Sequence, residues 1–165
     1  MPTLVLLIVY AVLYTPQAML LAYADGAEHR LPNRQVLALT TTVTVALAVT
    51  ALALPQLRAP LQAALVLAAV VTVAAVLIAL FAPPLLGMGD AKCCFVVTLM
   101  ATVLGGDVLL AGAASATLLA GLFGSAVMLR SRTPGTAIPV GPILLAAPAL
   151  GLITGPWLTS ATGIS

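Results

Sequence analysis

The sequence predicts an all-α membrane protein, a polytopic bundle of six transmembrane helices forming one membrane-embedded domain over residues 1–165, and three observations carry that prediction. Of the 165 residues, 62% are hydrophobic and only 6% are charged, against about 25% charged in a soluble domain. The charged side chains cut the chain into uncharged runs at 1–24, 35–57, 59–89, 93–106, 108–129 and 133–165. A bilayer core needs about 20 apolar residues per helix at roughly 1.5 Å each, so every run but the fourth is long enough to span it. The third observation is where the cations fall. Loops 25–34, 83–92 and 130–132 hold Arg30, Arg34, Lys92, Arg130 and Arg132, and the opposite side holds only Arg58. Cytoplasmic loops carry the Lys and Arg excess, which predicts a multi-pass protein of the cytoplasmic (inner) membrane with those loops inside and both termini outside.

The first span is expected over Leu4–Tyr23. The AYA at 22–24 resembles a signal-peptide cleavage site, but the stretch opens without Lys or Arg and its apolar run is long, so a retained helix is expected. Pro16 should bend it. The second span is expected over Gln35–Ala53 and the third over Leu61–Phe81, whose Ala, Val and Leu low complexity offers packing or lipid-facing surface and no chemistry. The fourth, Gly89–Leu104, is informative because the uncharged run from Cys93 is only 14 residues. That is about 21 Å of helix against a hydrocarbon thickness of roughly 30 Å, so the helix must take in Asp90 and Lys92. Lys92 can extend its ammonium to the interface, whereas aspartate is too short and stays at the membrane boundary. The fifth span, Val108–Leu129, carries Gly112, Ala114, Ser115, Gly121 and Gly124, small residues that permit close helix packing. The sixth, Ile138–Leu158, should be irregular at its start because of Pro139, Pro142 and Pro148. Bilayers tolerate freed backbone groups only where protein or water satisfies them, so that start should face the protein interior.

Little else in the chain can do chemistry. A net charge of +2 without a basic cluster argues against nucleic acid as a partner. Cys93 and Cys94 are adjacent, which suits neither a structural disulfide nor a four-ligand zinc site, and they are expected to be small packing residues. A carboxylate at the membrane boundary costs up to about 3 kcal/mol, so Asp90 needs a reason and a partner. Asp25 ends the first helix on the same side, while Glu28 lies in a loop and Asp107 on the far side. Two aspartates converging in a partly desolvated cleft share one proton, and such a pair suits an aspartic protease: one carboxylate deprotonates a water, the other protonates or polarises a scissile carbonyl. Gly87 and Gly89 would let the backbone before Asp90 adopt unusual angles and admit a peptide, with Pro83 and Pro84 ending the third helix. Asp107, beside Gly105 and Gly106, reads as a turn residue and the N-cap of the fifth helix. His29 and Glu28 read as solvated, Arg130 and Arg132 as topology anchors, and Tyr23 and Trp157 as interfacial belt residues.

Three stretches then combine: DGAEHRLPN at 25–33, GMGDAK at 87–92 and AIPVGPILLAAPALG at 137–151. In order and spacing they resemble the type IV prepilin peptidase family, membrane aspartyl proteases with a G-x-G-D signature that trim the leader peptides of prepilins. The first stretch is similar to the family's first aspartate followed by a basic loop and an [LI]-P-[ND] return into the second helix, the second to G-x-G-D-x-K, and the third to I-P-F-G-P-x-L opening the last helix. The resemblance implies Asp25 and Asp90 as the catalytic pair, with Gly87, Gly89, Lys92, Pro32, Asn33, Pro139, Gly141 and Pro142 shaping the site or binding substrate. It implies no metal and no organic cofactor. The implied partners are a prepilin- or pseudopilin-like substrate, its helix in the bilayer and its leader in the cytoplasm, and membrane lipid, with a homo-oligomer left open. Val140 stands where phenylalanine is common, and Cys93 and Cys94 replace the usual leucine after the lysine. The chain shows neither the cysteine-rich cytoplasmic loop nor the methyltransferase activity that goes with it, and resembles the short, peptidase-only form. The competing expectation is a non-enzymatic membrane assembly subunit or a small proton-coupled transporter using the aspartates as a relay.

Overall fold

Long runs of Ala, Leu and Val without an interior breaker leave the backbone one way to satisfy itself in lipid, the α-helix. The computed structural model describes residues 2–28, 32–82, 86–131 and 140–162, and these form six helices with no strand among them. Helix α1 comprises Pro2–Val9, a π-helical turn at Tyr10–Tyr14, and Thr15–Glu28. It is followed by α2 (Asn33–Ala53), a short 3₁₀ turn (Pro55–Leu57), α3 (Arg58–Phe81), α4 (Met88–Leu104), α5 (Gly106–Ser131) and α6 (Gly141–Thr162). All but α4 contain a stretch long and apolar enough to cross a membrane, which makes this an all-α, multi-pass membrane protein.

The short helix is the central one. Helix α4 has 17 residues and packs against all five of the others. Ala91, Cys93, Val96, Leu99 and Met100 are buried on it, as is the hydroxyl-bearing Thr98. A helix enclosed by neighbours is apolar all round without facing lipid, and Cys93 and Cys94 take their place in it as buried free thiols. The outer faces of the surrounding helices expose Val12, Val45, Val66, Leu118 and Ile153, the greasy exterior that a bilayer solvates. Several of their threonines hide their hydroxyls in their own helices: Thr50 donates to Ala46 O at 2.7 Å, Thr72 to Ala68 O at 2.6 Å and Thr117 to Ala113 O at 2.8 Å.

Helices α5 and α6 meet backbone to backbone. A Cβ on Gly112 would run into the Ala147 carbonyl, and one on Gly151 into the Val108 carbonyl, so the two helices approach as only glycine allows. Ser115 and Thr154 join hydroxyls across the same seam at 3.2 Å. Of the small residues expected to pack, Gly112 and Ser115 lie in the seam, whereas Ala114 is exposed and Gly121 has open space beside it.

Ile138 and Pro139, where the sixth span was expected to start irregularly, lie outside the described residues; the described part of helix α6 begins at Gly141, with Pro142 in its first turn, where the missing N–H costs nothing. Pro148 sits fully buried inside it, and a phenol comes in alongside: Tyr14 donates to Leu145 O at 2.8 Å. Asp107 is the second residue of α5 rather than its N-cap; it folds its carboxylate over Gly105, whose φ of 157° turns the corner from α4. In α1, Pro16 is accommodated by the π turn: Thr15 N–H and Oγ1 both bond Tyr10 O, and the Gln17 amide reaches Leu13 O at 3.1 Å. Arg58 donates from Nε to Ala51 O at 3.2 Å and so satisfies the end of α2. Tyr23 and Trp157 are exposed.

Candidate functional site

Three helix ends converge on one point. Asp25 lies in the last turn of α1, Asp90 in the first turn of α4, and Gly141 is the first residue of α6. A Cβ on Gly141 would stand 2.5 Å from Asp25 Oδ2, 3.0 Å from its Cγ, and 3.2 Å from Asp90 Oδ1. The two carboxylates therefore converge on the space a side chain at 141 would fill, no farther apart than those two oxygen distances laid end to end, a gap that one water can bridge. Asp25 is 7% exposed, whereas Asp90 is half-buried. The second oxygen of Asp90 is taken up on the other side: its Oδ2 lies 3.3 Å from where a Cβ of Gly87 would be. Gly87 caps α4 in extended conformation and its carbonyl accepts from Ala91 N at 3.0 Å, so Asp90 folds back over the start of its own helix.

Helix direction contributes to the electrostatics of this point, and not all in one sense, because Asp25 sits at the negative C-terminal end of α1. The N-termini of α4 and α6 present the positive ends of their dipoles, each worth about 0.3–1 kcal/mol to a nearby carboxylate. Side chains two apart on a helix point to different sides, so Asp90 turns toward α1 and α6 while Lys92 turns toward α2. There Lys92 Nζ donates to Asn33 Oδ1 at 2.9 Å, at the exposed mouth of a cleft lined by Val36, Thr40, Thr72 and Phe95. Pro32 precedes α2 in extended conformation, and its carbonyl accepts from Gln35 N and Val36 N, which starts the helix with Asn33 at its first position.

Of the residues expected at the site, Asp25, Asp90, Gly87 and Gly141 come together, and Asn33 and Lys92 form a separate link on the neighbouring side of α4. Gly89 is the second residue of α4. Pro142 turns away, into a cleft between α1 and α6 that Tyr14, Ala18, Ala22 and Leu145 also line. Pro139 lies outside the described residues, as do His29, Arg30, Pro83, Pro84 and Arg132. Sequence reasoning missed Tyr14, buried with its hydroxyl bonded across to α6. The signal was faint: a tyrosine two residues before a proline within a helix that must adjust its hydrogen bonds.

Fold and site together define a multi-pass helical membrane protein with one buried and one half-buried carboxylate converging at one end of the bundle. No family model, no curated protein and no solved structure matches this chain.

Proposed function

We propose that the chain is an intramembrane aspartyl endopeptidase that cleaves the leader of a prepilin-like substrate at the cytoplasmic membrane boundary, without a methyltransferase activity. The observation that carries this is the convergence of Asp25 and Asp90 on Gly141. In this mechanism a water between the carboxylates gives a proton to the ionised one as its oxygen attacks the scissile carbonyl. The other carboxylate, protonated, donates to the carbonyl oxygen; the C–N bond then breaks and the new amine takes a proton from the pair. The substrate's apolar helix stays in the bilayer and its leader unwinds near Gly89, and the positive-inside bias of the sequence supports a site on the cytoplasmic side of the membrane. No metal enters these steps.

The aspartates also bear on the alternative. A proton relay buries carboxylates toward the bilayer midplane, whereas Asp25 and Asp90 occupy helix ends. The deciding experiment is co-expression of the chain, and of its Asp25→Asn and Asp90→Asn variants, with prepilins of the same genome, followed by N-terminal sequencing of the product. Cleavage by the parent and by neither variant is expected. An inserted parent that cuts none of them would transfer the weight to a non-enzymatic subunit or transporter.

A further inference from the structure

Helix α1 buries Leu6, Val9, Tyr14, Ala18, Leu21 and Asp25. From Tyr14 onward the steps are four, three and four, the spacing of one helix face; between Val9 and Tyr14 the step is five. That longer step falls on the π turn at Tyr10–Tyr14, where Thr15 N–H reaches back five residues to Tyr10 O. A π turn inserts one residue into an α-helix and rotates everything beyond it by about 100°. Without the insertion the same stripe would pass through Ala24, and Asp25 would turn out of the bundle. The register of α1 therefore decides whether its carboxylate faces Gly141.

A register set by a π turn needs a lock. Tyr14 supplies it: 1% exposed, at the end of the π turn, it stacks on Tyr10 with ring centroids 5.4 Å apart and donates its hydroxyl to Leu145 O at 2.8 Å. Leu145 is one turn into α6 from Gly141, and Tyr14 is about three turns before Asp25 on the same face. The two ends of this contact thus belong to two of the three helices whose ends form the site.

We propose that Tyr14 is a positioning residue for Asp25, its hydroxyl fixing the face of α1 that carries the carboxylate against the start of α6. Resting on the reading of Asp25 as a catalytic carboxylate, the proposal extends that reading to a residue far from the chemistry. It is tested by Tyr14→Phe, which keeps the ring and removes only the bond. The first readout needs no activity. In a Cys93→Ala, Cys94→Ala background, Asp25→Cys and Gly141→Cys should form a disulfide under mild oxidation, because the Asp25 Cγ lies 3.0 Å from a Gly141 Cβ position. Adding Tyr14→Phe should slow that cross-link about fivefold, the worth of one interhelical hydrogen bond in a membrane. The second readout is cleavage, where Tyr14→Phe should lower kcat about fivefold with KM unchanged, and should not add to the loss in Gly141→Ala. An unchanged cross-linking rate overturns the proposal, as does a fall in melting temperature with kcat intact. A parent chain that cleaves no prepilin defeats the peptidase reading alone, and the cross-linking rate still decides whether Tyr14 positions Asp25.

Discussion

Asp25 and Gly141, distant in sequence, are in contact at the site: the carboxylate oxygen Oδ2 occupies the space a side chain at 141 would need, 2.5 Å from the Cβ position. The atom in the way is the end of a short, movable side chain rather than backbone, so Gly141→Ala should displace the Asp25 carboxylate and leave the bundle folded. A misplacement near 1 Å costs a reaction about 100-fold. Gly141→Ala is expected to lower kcat by that order while its unfolding midpoint in detergent stays within a few degrees of the parent. Full activity in this variant would show that the carboxylate does not need its present position.

The carboxylates act as a unit in the proposed mechanism, so their removal should not be additive. Asp25→Asn and Asp90→Asn should each reduce cleavage by more than about a thousandfold, and the double variant should be no worse than either. Single-turnover cleavage of a purified prepilin measures this. Two modest losses that multiply would instead describe two independent contributors.

Lys92 and Asn33 tie the start of α4 to the start of α2 through a bond at the exposed rim. Bonds at such positions contribute little, so Asn33→Ala and Lys92→Met should each cost less than about 1 kcal/mol of stability. Because each removes the same bond, the double variant should lose no more than the larger single loss. Equilibrium unfolding in mixed micelles closes this cycle, and fully additive losses would mean that the bond contributes nothing.

The α5–α6 seam should be the least forgiving place in the fold. At Gly112 and Gly151 a Cβ would meet a backbone carbonyl of the facing helix, which cannot rotate aside. Gly112→Val or Gly151→Val should therefore destabilise the bundle by about 3 kcal/mol or more, the range of overpacked sites. Gly121→Ala, facing open space, should be neutral. Melting curves of the three variants in one detergent test the contrast.

Much of this was legible from the chain. The number of helices and their approximate bounds followed from the spacing of charges alone, because lipid leaves an uncharged run of sufficient length only the helix. Helix α4 was recognisable as abnormal from the 14 uncharged residues after Lys92, though its place at the centre of the bundle was not. Its sequence is apolar on every side, and apolar residues read alike whether they meet lipid or protein. The pairing of Asp25 with Asp90 was a matter of topology: the first and fourth spans place those residues on one side of the membrane, with no other carboxylate suitably placed there.

What only the tertiary structure decided are the facings. Gly141 was singled out by motif, but its service as the floor between two carboxylates depends on how α6 docks against α1 and α4. Lys92 was expected to shape the site or bind substrate, and it donates to Asn33 on the neighbouring side of α4, because a helix turns side chains two apart to different neighbours. The π turn at Tyr10–Tyr14 shifts the buried stripe of α1 by one residue, and in the sequence only the tyrosines and the proline that follows them hint at that shift. Composition and charge spacing determine that a segment is helical and long enough to cross a membrane, since those depend on transfer to lipid residue by residue. The rotation of each helix about its own axis depends on contacts between distant residues, so the face that carries Asp25 is fixed only when Tyr14 meets Leu145.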